Sequence, residues 1–236
     1  MQLDIRHIVF DLDHTLWDYE RASEETLREL FEAYALGRYC PDFESFFSVF
    51  KQVNHLLWQA YNQGQIEQAA LRRVRFVHIF ERLGIPLHRA ASFGEEYVRR
   101  CPHKPYTLPY VREALDELRA QGYLLHILTN GFADVQYTKL QAAGIECFFH
   151  TVVTSCVAGA AKPQARAFRY FLQAAGCPAH HCLMVGDNWE ADVWGARQVG
   201  MHGIWYNPRG LPVPEESMQI TCFSELKLFL RERTLP

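Results

Sequence analysis

Two aspartates two residues apart, Asp11 and Asp13, close the apolar run Ile8-Val9-Phe10, and His14, Thr15 and Leu16 follow directly. In an extended segment such a pair projects the same way, with about 7 Å between α-carbons. Like charges packed at a strand end cost free energy unless a cation or a proton is shared. Taken alone, the string D-x-D-x-T fits a helix cap equally well. Three more polar elements fall at the ends of apolar runs. Thr129-Asn130-Gly131 closes Leu124 to Leu128, Lys162-Pro163 follows Thr151 to Thr154, and Gly186-Asp187-Asn188 closes Cys182 to Val185, with Asp192 five residues after Asp187. Singly these read as a threonine cap, a solvated lysine and an Asx turn. Together they bring an acid pair, a hydroxyl, a cation and another acid to one rim of one sheet.

The elements that must position them have a clear order. Arg6 to Phe10 is a short apolar run ending abruptly in acids, as a buried parallel strand does. A helical stretch follows almost to residue 101. In it Phe43, Phe46, Phe47, Phe50, Val53, Leu57 and Tyr61 recur at helical spacing, with Asp42 as N-cap and Gly64 as stop. Gln68 to Leu83 and Leu87 to Arg100 repeat the pattern, and Pro102, Pro105 and Pro109 mark a linker. From residue 110 helices ending at Gly122, Gly144, Gly176 and Gly200 alternate with apolar strands, the mark of βαβ units. The expected fold is α/β: a doubly wound parallel sheet built from residues 1–16 and 107–236, with an all-helical cap, residues 17–106, inserted after the first strand. Ligands bind at the carboxyl edge of such sheets, so the inserted helices would roof the site.

Composition narrows the function classes. With 236 residues and a formal charge of −3, the chain has no electrostatic case for a nucleic acid polymer or an anionic membrane as partner. No apolar run is long enough to span a bilayer, and Asp4, Arg6 and Asp11 stand where a signal peptide needs apolar residues. Seven scattered cysteines, without C-x-x-C spacing, signal neither zinc nor a disulfide framework. A cytoplasmic protein with reduced thiols is expected, as a monomer or small homo-oligomer.

In these strings the sequence resembles the haloacid dehalogenase superfamily, whose four motifs match in order along the whole chain. The resemblance implies a sheet of strand order 5-4-1-2-3 and a set of roles. Asp11 would be the nucleophile, and Asp13 would protonate the leaving oxygen and later deprotonate water. Thr129, with Asn130 and Gly131, would hold the phosphoryl group, and Lys162 would hold the nucleophile and balance charge. Mg²⁺ would be bound by Asp11, Asp187 and the main-chain carbonyl of Asp13, with Asp192 and Thr15 as supports. The chemistry is consistent: a carboxylate attacking a phosphate ester meets anionic repulsion, which a hard dication on oxygen ligands offsets. Asp13 also separates branches of the family, because an alkoxide leaving group needs a proton and a halide does not. A phosphatase of a small phosphate ester is therefore expected over a dehalogenase. A sugar phosphomutase shares these motifs, and a phosphoacceptor regulatory module shares the acidic rim and lysine but not so long an insertion.

Substrate choice would lie in the inserted helices. Asn54, Trp58 and Tyr61 fall on one helical stripe, and Trp17 follows the first motif. These are ordinary core positions or an aromatic wall for a flat group. The string from Val53-Asn54 through Leu57-Trp58 and Tyr61 to Gly64, with Arg75-Phe76, Leu83 and Phe132 after Gly131, is similar to the bacterial pyrimidine 5′-nucleotidase subfamily. That resemblance implies nucleoside 5′-monophosphate substrates, with Trp58 and Tyr61 at the base. Other small-metabolite phosphates, sugar phosphates and phosphoglycolate among them, are the alternative. Arg72, Arg73 and Arg75 are expected on a solvated helix face, His180-His181-Cys182 as a structural segment, and His14 without a role.

Overall fold

The first apolar run forms β1 (His7–Phe10), whose last three residues are fully buried in the computed structural model, which describes residues 3–212 and 217–233. Four long helices follow: α1 (Tyr19–Ala33), α2 (Phe43–Asn62), α3 (Gln68–Arg82) and α4 (Ala90–Arg100). The chain then runs through α5 (Val111–Ala120), β2 (Leu124–Thr129), α6 (Ala133–Ala142) and β3 (Phe149–Thr154). After β3 come the single turn α7 (Ser155–Ala158), α8 (Ala165–Ala175) and β4 (Cys182–Gly186). A π-helical turn, Trp189–Trp194, leads into α9 (Gly195–Arg197), then β5 (His202–Tyr206), β6 (Met218–Ile220) and α10 (Leu226–Arg233). No described helix is long and apolar enough to cross a membrane.

All strands pair in parallel in the order β3-β2-β1-β4-β5-β6. Five of these positions match the expected order; β6, which pairs Ile204 with Met218 at the edge, is an addition. The chain leaves β1 first toward β2 and β3, then returns to the other side for β4 and β5, so the order reverses at β1 and β4. Such a switch point opens a crevice at the carboxyl edge, where loops part to either face. Register puts Phe10 beside both Ile127 and Val185, so Asp11 stands level with Leu128 and Gly186, and the carboxyl ends of the three strands share one edge.

The chain divides into two compact units, Met1–Asp18 with Pro105–Pro236, and Tyr19–Lys104. Residues 17–18 and 105–106 thus belong with the sheet, not with the insertion. The reason is local pairing: Trp17 bridges both Asp13 and Thr107, and the Asp18 N–H donates to the Tyr106 carbonyl. The helical unit closes on rings from three helices, with Phe76 of α3 centred 6.1 Å from Phe50 of α2, and 5.0 Å and 5.3 Å from Phe93 and Tyr97 of α4. Asp42 caps α2 by accepting from the Ser45 N–H at 2.7 Å. Arg75 departs from expectation: it is buried, donates to Asn54 Oδ1 at 3.2 Å and stacks over the Tyr97 ring. It falls four residues after Leu71 and four before Ile79, on the buried face of α3.

Candidate active site

Asp11 sits one residue past β1, anchored by its N–H to the Val185 carbonyl at 3.0 Å. The chain turns back at once: the N–H groups of Leu16 and Trp17 both donate to the Leu12 carbonyl, and His14 takes a left-handed φ of 63°. This tight loop brings Thr15 under Asp187. The Thr15 hydroxyl donates to Asp187 Oδ1 at 3.3 Å and accepts the Asp187 N–H at 3.0 Å, while Trp205 Nε1 donates to the Asp187 carbonyl. Asp187 is thereby oriented from the loop after β1 and from β5 at once.

Lys162 is the centre of charge. Fully buried, it reaches Asp11 Oδ1 and Asp192 Oδ1 at 2.6 Å each and donates to the Leu128 carbonyl at 2.7 Å. Asn130 fixes the lysine's own backbone, accepting the Lys162 N–H at 2.8 Å and donating to its carbonyl at 2.9 Å. The other Asp192 oxygen accepts the Asn188 N–H at 3.0 Å. Gly186 has to be glycine, because a Cβ there would fall on the Asp192 carboxylate. Gly131 is constrained in the same way by Gln136, and its N–H donates to the Thr129 hydroxyl at 3.0 Å.

Carboxylate oxygens of Asp11, Asp187 and Asp192 lie within 4.8 Å of one another, a grouping that could hold a metal ion. Two buried carboxylates, Asp11 and Asp192, share one ammonium, and the half-buried Asp187 stands beside them. Burial, and repulsion from Asp192 and Asp13 that Lys162 only partly offsets, push the Asp11 carboxyl up to about 7. Burial and the nearby Asp11 and Asp192 raise Asp187 well above the usual carboxylate range. Burial alone would lower the Lys162 ammonium, but its two carboxylates outweigh that and raise it. A surplus of buried negative charge on hard oxygen donors is the electrostatic condition that a divalent cation relieves.

The structure therefore brings together Asp11, Asp13, Thr15, Thr129, Lys162, Asp187 and Asp192 at one edge. Asp192 is closer in than expected, because it pairs with the lysine directly. Asn130 spends its side chain on Lys162, which makes it a backbone clamp in this structure. Trp17 is fully buried under Lys139, 4.7 Å from its ring centre, so it packs the core and offers no wall to a ligand. Trp58 and Tyr61, half-buried on α2, meet edge-to-face at 5.6 Å. One residue was missed by sequence reasoning: Lys139 of α6 is buried and lies 2.7 Å from both oxygens of Asp13. Its signal was faint, a lysine at helical spacing from Gln136 on the inward face.

Comparison with known proteins agrees with this geometry. The sequence is 29% identical over 208 residues to the pyrimidine 5′-nucleotidase PynA of Streptococcus pneumoniae, covering 87% of this chain and 85% of that one. It is 31% identical to the pyrimidine 5′-nucleotidase YjjG of Escherichia coli, with 88% of each chain covered. A crystal structure of the putative HAD-hydrolase YfnB from Bacillus subtilis, bound to magnesium, superposes with a TM-score of 0.87 at 27% identity, covering 96% of this chain and 99% of that one. A family model for haloacid dehalogenase-like hydrolases matches residues 5–200, and the chain belongs to that family.

Proposed function

We propose that the chain is a Mg²⁺-dependent phosphomonoester hydrolase working through an aspartyl-phosphate on Asp11, with nucleoside 5′-monophosphates, pyrimidine ones first, as preferred substrates. One observation carries the chemistry: Asp11 is held at 2.6 Å by a buried lysine, among two more carboxylates, with Asp13 two residues on. An Asp11 oxygen attacks phosphorus, the ester P–O bond breaks, and the leaving oxygen takes its proton from Asp13. Water then attacks the same phosphorus, gives a proton to Asp13 and releases phosphate with the Asp11 carboxylate restored. Lys162 keeps the nucleophile aimed and, with Thr129, faces the charge on the phosphoryl oxygens. Held by Asp11, Asp187 and the Asp13 carbonyl, Mg²⁺ would neutralise the repulsion between carboxylate and phosphate.

The substrate reading rests on the named relatives and on the ring pair of Trp58 and Tyr61, a surface suited to stacking a flat base. Stacking on one aromatic is worth about 1–3 kcal/mol. The test is phosphate release across nucleotides, sugar phosphates and phosphoglycolate, with Mg²⁺ and then with excess chelator. Pyrimidine nucleotides should lead, and turnover should vanish without metal. If sugar phosphates outrun every nucleotide, the substrate reading falls; full activity in chelator removes the metal.

A further inference from the structure

Each of the two catalytic aspartates has its own lysine. Lys162 on Asp11 follows a motif of the family; Lys139 on Asp13 does not. We propose that Lys139 is a positioning residue, which fixes the Asp13 carboxylate in the orientation from which it serves the leaving oxygen. The inference rests on Asp13 being the acid–base group.

The geometry is specific. Lys139 Nζ lies 2.7 Å from Asp13 Oδ1 and 2.7 Å from Oδ2, so one ammonium spans both oxygens. The lysine is 5% exposed, a burial that lysines reach only when paired. Below it the Trp17 ring lies 4.7 Å from Nζ, which adds a cation–π contact away from water. Trp17 is in turn tied to the loop that carries Asp13: its N–H donates to the Leu12 carbonyl at 2.8 Å, and its carbonyl accepts the His14 N–H at 3.0 Å. Asp13, the ammonium and the indole therefore brace one another across residues 13, 17 and 139.

Stability is a poor explanation for this arrangement. A buried ion pair is often matched or bettered by apolar residues of similar volume, so a lysine here needs another use. Positioning supplies one. A carboxylate has about four lone-pair sites. One ammonium across both oxygens leaves each oxygen a site for a leaving oxygen or a water. An Asp13 side chain 21% exposed and without this clamp would sample several rotamers. A displacement of roughly 1 Å can cost about a hundredfold in rate.

The experiment compares Lys139→Met, Lys139→Arg and Asp13→Asn in the Mg²⁺-loaded enzyme, using an alkyl phosphate (the best nucleotide) and p-nitrophenyl phosphate. The aryl ester leaves as a stable anion and needs little protonation. K139M should lower kcat on the alkyl ester at least roughly tenfold more than on the aryl ester, with KM within about twofold for both. K139R, still cationic and able to fork across a carboxylate, should restore most of the loss. An equal fall on both esters, or none, assigns Lys139 a structural role and overturns the proposal. If D13N shows the bias and K139M does not, the Lys139 inference alone fails. If D13N shows no bias, Asp13 is not the acid, and both readings fall. Should K139M not fold, Lys139→Gln takes its place with the same expectation.

Discussion

Replacing Lys162 by methionine removes the ammonium that faces Asp11 and Asp192 at 2.6 Å each, while nearly keeping the volume of a fully buried side chain. The Leu128 carbonyl, which accepts from the same amine at 2.7 Å, is stranded as well. Deleting one partner of a buried pair costs about 3–5 kcal/mol, because the remaining charge is left in a poor dielectric. Here two carboxylates lose their counter-ion and Asp187 adds to the repulsion, so the upper part of that range is expected in chelator. For a chain of this length each kcal/mol moves the melting temperature by about 2–4 °C. Lys162→Met should therefore melt roughly 10–20 °C below the parent without metal. Added Mg²⁺ should recover part of the gap, because a ligand that binds only the folded state stabilises by RT ln(1 + [L]/Kd). Phosphate release should be lost in both conditions, since the nucleophile is no longer held. Calorimetry in chelator and in Mg²⁺, with an activity assay on the same samples, reads all three outcomes. A variant that melts with the parent in chelator, or that still turns over, would refute the charge accounting.

Two further outcomes follow from the sheet. His126 is buried against His7, His150 and Phe171, and burial first, then the two histidines, depress it from 6.5 to about 4. The unfolded chain therefore binds the proton more readily, so stability is complete above pH 6.5 and falls as pH drops from 6.5 toward 4, by about 3 kcal/mol in all at about 1.4 kcal/mol per unit. Denaturant titrations at pH 7.5 and 4.5 should differ accordingly, and His126→Leu should flatten the difference; an unchanged slope would contradict the assignment. Gly186→Ala drives a methyl into the Asp192 carboxylate, which the Asn188 N–H and Lys162 both hold, so a loss of about 1–3 kcal/mol together with most of the turnover is expected. Melting and phosphate release check it, and parental values in both would show that the loop yields.

Much of the catalytic edge could be read from the residues because three of the polar motifs directly follow apolar runs, as Asp11 follows Phe10 and Gly186-Asp187 follows Val185. Buried parallel strands announce themselves by composition, and their carboxyl ends share an edge by topology. What stayed hidden depends on partners distant in sequence. Lys139 looks like any solvated lysine on a helix until Asp13, 126 residues earlier, is placed beside it. Arg75 reads as a surface charge until α2 supplies Asn54. Strand β6 is three residues long and exists by pairing with β5, so no local pattern marks it. The helix expected to end at Gly200 instead opens as a π-turn, Trp189–Trp194, at whose start Asn188 and Asp192 exchange hydrogen bonds.

The most direct test of the account is the site of covalent phosphorylation. Enzyme loaded with Mg²⁺ and a good substrate, quenched in acid during turnover and mapped by mass spectrometry, should carry a phosphoryl group on Asp11, and Asp11→Asn should carry none and release no phosphate. A phosphoryl group on any other residue, or turnover surviving in the Asp11→Asn variant, would contradict the mechanism.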